Sequence, residues 1–123
     1  MQALTIQPMF MNGNLDKAKA LSALSTASNA ATAALPSALI KCDTQEQMQK
    51  IMADRDLCQL AYTNSLVLSL KHTGPLFSKI ADDLEATSEE VLKQATQLQN
   101  AVEAVKLLTD LVKLATSLAL AFA

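Results

Sequence analysis

In the last quarter of the chain, Gln99, Glu103, Lys106, Asp110, Lys113 and Ser117 recur at helical spacing. Between them stand Val102, Val105, Leu107, Leu108, Leu111, Val112, Leu114, Leu118, Leu120 and Phe122. At about 100° per residue the polar set forms a strip roughly 80° wide, and the apolar set takes most of the remaining circumference. A surface helix hides an apolar stripe of a little over 100°, so this segment needs cover from at least two directions. Three covers are open: the rest of the same chain, copies of the chain, or lipid.

The remaining elements follow from similar patterning. Residues 15–35 are dominated by Ala, Ser and Thr, with Asn14 placed as an N-cap and Pro36 as a stop. Ala23, Ala27, Ala30 and Ala34 share one face beside Leu21, Leu24, Ala31 and Leu35, a surface that lets two helices approach closely. Thr44 and Gln47 have capping-box spacing, which predicts a helix from about 43 to 72, ended by Thr73-Gly74-Pro75. Met48, Ile51, Cys58, Tyr62 and Leu66 share a face of it, and residues 57–70 carry no charge on any side. Pro75 suits a first helical position, so a short helix is expected near 75–84 with Leu76, Phe77, Ile80 and Leu84 buried. Thr87 and Glu90 form a second capping-box pattern, so the last helix is expected over about 88–123, roughly 54 Å long if unbroken. The expected fold is all-α: an elongated helical hairpin or bundle with two long helices, a small-residue N-terminal helix and a short helix near 75–84. Residues 1–13, with Met1, Met9, Phe10 and Met11 around Pro8, read as an extended arm, and residues 14–123 as a single helical domain.

Composition supports the helical reading. Ala and Leu number 21 each among 123 residues, Val and Ile together nine, and aromatic residues make up 3%, too little β-forming chemistry for a sheet. The net charge of −2 leaves no basic stripe for phosphates, so nucleic acid is not an expected partner. Residues 73–90 concentrate the negative charge. The first cation is Lys17, and no apolar run precedes it that resembles a secretory signal. Cys42 and Cys58 lie too far apart along a helix to bridge, about 24 Å, and free thiols suit a reducing compartment. The expected location is cytoplasmic, or exported without a cleavable signal peptide.

Catalytic chemistry is sparse. Cys58 and His72 would be about 21 Å apart along one helix, out of reach as nucleophile and base, and His72 reads as a partner for a helix C-terminus. Asp54 and Asp56 read as solvated positions. Asp82, Asp83, Glu85, Glu89 and Glu90 lack the glycine turn and ligand alternation of a calcium loop, so Glu89 and Glu90 are placed at a helix N-terminus. No phosphate-cradling loop, zinc spacing or nucleophile elbow occurs. Neither enzymatic activity, nor a cofactor, nor a metal site is expected.

The function expected from these features is a self-assembling helical protein, a structural subunit of a homo-oligomer or filament. Its interface would be Val102, Val105, Leu108, Leu111, Val112, Leu114, Leu118 and Phe122 on the C-terminal helix. Two other readings remain open at this point. One is a membrane-active protein that inserts residues 102–123 as an oligomer, since the charge-free end is only about 15 Å long and cannot span alone. The other is a helical adaptor or chaperone that holds a partner helix.

Overall fold

The computed structural model describes residues 15–123, which form four α-helices: α1 (Lys17–Lys41), α2 (Gln45–Leu66), α3 (Pro75–Gln94) and α4 (Ala101–Ala119), with a single 3₁₀ turn at Ala95–Gln97. The expected extended arm over residues 1–13 lies outside the described residues. The all-α bundle expected from composition and periodicity is what the chain forms. The helices run alternately up and down. Lys19 at the start of α1 reaches Asp82 (2.9 Å) and Ser78 (3.3 Å) near the start of α3, so those two helices begin at the same end. Thr109 on α4 donates to Asp54 on α2 at 3.3 Å, each about two turns into its helix, so these two begin at the opposite end.

The cross-section is a rhombus. Helices α1 and α4 pack on each other across its short diagonal, and α2 and α3 each pack on both of them from opposite flanks. The N-terminal segment makes this possible because its inward face is built from Ala20, Ala23, Ala27, Ala30, Ala31, Ala34 and Ala38, all at 0–1% exposure. Alanine faces allow axes to approach at the short end of the usual range of about 8–10 Å, while α4 supplies the volume through Leu108, Leu111 and Leu118, each fully buried. The arc of α4 that needs cover from several directions is therefore covered from three, by α1, α2 and α3.

Several boundaries differ from those expected, each for a local reason. Helix α1 does not stop at Pro36 but runs on to Lys41. Pro36 is exposed, as is Thr32, whose carbonyl loses the i→i−4 bond to solvent, and the extra turn buries Ala38 and half-buries Leu39. Its N-cap is Asp16, whose carboxylate accepts from the Lys19 N–H at 2.7 Å. Helix α2 starts at the Thr44–Gln47 capping box, with both reciprocal bonds made, but ends at Leu66 rather than 72. Residues 69–72 pair instead with the C-terminal tail through an antiparallel bridge between Leu70 and Phe122, flanked by Ser69–Ala123 and Lys71–Ala121 backbone bonds of 2.8–3.2 Å.

The largest correction concerns the last two helices. No break occurs at Thr87, and the short helix near 75–84 and the long helix over 88–123 are replaced by two of similar length. Ser88 is fully buried and donates its hydroxyl to the Leu84 carbonyl at 2.7 Å, which keeps the helix continuous where a cap was expected. The chain reverses at 95–100, where Leu98 turns inward and Asn100, in extended conformation, accepts from the Glu103 N–H at 2.9 Å. Glu103 reciprocates by accepting from the Gln99 N–H at 3.0 Å. Glu89 and Glu90 are accordingly mid-helix, and Glu90 accepts from the Gln94 amide.

If the alanine face sets the distance across the diagonal, enlarging it must push α1 and α4 apart. Ala27→Leu is expected to destabilise the fold by about 1–3 kcal/mol through overpacking, whereas Ala33→Leu on the exposed side of the same helix changes stability by less than about 0.5 kcal/mol. Urea unfolding followed by circular dichroism measures both.

Candidate interaction surface

The eight interface residues expected on the C-terminal helix divide into three groups. Leu108, Leu111, Val112, Leu118 and Phe122 are buried by the chain's own helices, Val105 and Leu114 are half-buried, and Val102 alone is well exposed, at 73%. In the folded chain most of that set is core. The Lys106–Asp110 pair on the outer strip forms at 2.6 Å, a surface contact worth a few tenths of a kcal/mol.

Polar groups are collected on the seam between α2 and α4. Asp54, expected at a solvated position, is 2% exposed, and both of its oxygens accept from Lys50 Nζ, at 2.6 and 2.8 Å. One turn further on, Cys58 is fully buried, and burial together with the neighbouring Asp54 charge pushes its thiol up to about 12. Cys42, half-buried in the α1–α2 connection, is raised as well, by burial and then by Asp43. Both cysteines are free. Ser65 and Ser88 are spent on helix carbonyls. Among the described residues every buried side-chain nitrogen or oxygen has a hydrogen-bond partner.

Two members of the acidic run are ion-paired. Asp82 pairs with Lys19, and Asp83 pairs with Lys79 at 2.8 Å, a hydrogen bond that raises the lysine's pKa. No group of three or more metal-ligating side chains converges among the described residues. His72 lies in the α2–α3 connection, not at a helix end, and its ring stacks on Phe77 with centroids 6.0 Å apart. Among the described residues no helix is long and apolar enough to cross a membrane.

What remains unsatisfied is apolar and outward. Ile40, Met48, Leu92 and Val102 are exposed within a turn of the helix ends that meet at the 42–44 and 95–100 connections. Leu66, Val67, Leu68, Leu76 and Leu120 are exposed at the opposite end, where the 67–74 connection meets the C-terminal tail. Among the described residues, the other exposed large apolar side chains, Met52, Leu57 and Leu60, lie along a flank, on α2. Beside the first end, Val102 and Val105 with Gln47, Lys106 and Thr109 line an open, shallow groove between α2 and α4. Periodicity assigned several of these to buried stripes: Leu76, expected inside, is 66% exposed, and Met48, Leu66, Val102 and Leu120 also face outward, because each sits at a helix end where no neighbouring helix extends to cover it. Comparison with protein-family models, curated proteins and solved structures finds no match to this chain.

The Cys58 thiol gives the fold a pH signature with a definite sign. Folded, it holds its proton to about pH 12, whereas the unfolded thiol releases it near 9. The contribution is therefore fully present below pH 9 and lost as pH rises between about 9 and 12, at a slope approaching about 1.4 kcal/mol per pH unit. Urea midpoints measured from pH 8 to 11 are expected to fall less steeply for Cys58→Ala than for the native chain; equal slopes would contradict this assignment.

Proposed function

We propose that this chain is a non-enzymatic helical subunit that assembles with copies of itself, through side chains its own fold leaves exposed and not through the inward face of α4. The observation carrying this reading is the exposure of large aliphatic side chains at both ends of the bundle, with Val67 at 84%, Ile40 at 79% and Leu120 at 70%. Single exposed apolar residues are ordinary, but apolar residues gathered at one place on a small surface mark a contact. Five of them surround the 67–74 connection, which is itself fixed by backbone pairing and offers a firm surface to dock on.

The lack of enzymatic function in this reading is supported by the state of the polar groups. Asp54, Ser65 and Ser88 are buried but spent on structural bonds, and the only histidine is stacked on Phe77. A membrane-inserting role would require Leu108, Leu111 and Leu118 to leave the core, abandoning the contacts that hold the bundle.

Sedimentation across a concentration series tests the proposal. The native chain is expected to gain mass with concentration. Val67→Asp/Leu120→Asp is expected to keep its helical circular dichroism and remain at the mass of one chain. Leu111→Asp, in contrast, is expected to unfold, since it places a charge where exposure is 0%. A native chain that stays at single-chain mass up to millimolar concentration would refute self-assembly.

A further inference from the structure

We infer that the copies meet end to end, the 67–74 end of one bundle docking on the 42–44/95–100 end of the next, so that assembly is open and linear. This rests on the self-assembly reading above and adds its geometry.

Two independent features of the ends support it. Both carry exposed apolar side chains within about a turn of the helix ends, Leu66, Val67, Leu76 and Leu120 at one and Ile40, Leu92 and Val102 at the other. Their side-chain charges are opposite once intrachain ion pairs are set aside. The 42–44/95–100 end carries Asp43, Glu46, Glu89, Glu90 and Glu103 against Lys41 and Lys93, a net charge of three negative. The 67–74 end carries Lys17 and Lys71 against Asp16, a net charge of one positive. A contact between two like ends would face acidic rim against acidic rim at one pole; a contact between unlike ends is attractive at every junction.

A contact between different patches of the same molecule is heterologous, and when the two patches lie at opposite ends of a rod its repetition does not close on itself. Its strength is limited by size. A four-helix cross-section about 20 Å wide offers about 400 Å² per side, or about 800 Å² in total, below the roughly 1,200 Å² of standard stable interfaces. Association through it is therefore of the weak class, and its extent depends on concentration.

Two exposed-site variants decide the matter, because neither touches the core. Ile40→Asp blocks one end and Val67→Asp the other. With circular dichroism confirming the fold of each, sedimentation is expected to show single chains for either variant alone. The equimolar mixture is expected to give a dimer and nothing larger, since each variant retains one sound end that fits the other's. If one variant assembles like the native chain while the other does not, contact is between like ends: the linear geometry fails and self-assembly survives. If both assemble normally, the contact lies on a flank and the end-to-end arrangement is overturned. If the native chain itself never gains mass, the underlying reading fails. Lys17→Glu/Lys71→Glu should lower the association constant several-fold at 50 mM salt and leave it nearly unchanged at 1 M, where the screening length is about 3 Å. No loss at low salt would remove charge from the account.

Discussion

The close approach of α1 and α4 is the contact from which the other placements follow. A helix whose inward side is almost entirely alanine buries little area per residue, so it gains stability only where its backbone comes near a larger surface. Helix α4 is that surface, with Leu108, Leu111 and Leu118 projecting toward the centre. Once these two are paired, each leaves a groove on either flank, and α2 and α3 fill them with Ile51, Cys58, Leu84 and Val91. The long side chains thus come chiefly from three helices and the space for them from the fourth.

The polar interior fits the same geometry. Asp54 lies on the α2–α4 seam, where Lys50 reaches it from the rim with its own side chain half exposed. The ammonium stays partly in water while the carboxylate is enclosed, an arrangement in which the lysine stem covers apolar surface. Breaking such a pair from one side leaves a charge stranded, so its value to the fold is less in net energy than in register: Asp54 meets Thr109 only when α2 and α4 are aligned. The raised Cys58 pKa follows first from its burial and then from that enclosed negative charge.

Much of this was legible in the chain itself, where local chemistry determines the outcome. The Thr44–Gln47 box, Pro75 at the head of α3 and the alanine face of α1 each act over a few residues, and each appears where the spacing places it. The misplaced boundaries are those that tertiary packing decides. Thr87–Glu90 and Asn100–Glu103 are equivalent start signals on paper, but only the second falls where the chain must turn to complete a bundle. Pro36 is tolerated because it and Thr32, whose carbonyl it leaves without an N–H donor, both lie on the exposed side of the helix. The inward side of α4 was recognisable as needing cover, but not that one chain's own α1, α2 and α3 would supply it. Asp54 looked like any surface aspartate because its burial depends on a threonine 55 residues away.

The short antiparallel bridge between Leu70 and Phe122 joins two segments that are otherwise the last to be held. Through Ser69, Lys71 and His72 the end of the chain is fastened to the middle connection, and Phe122, nearly enclosed, acts as the latch. Fraying of the final turn of α4 and loosening of the α2–α3 link are consequently a single event, a cooperative unit that opens and shuts together.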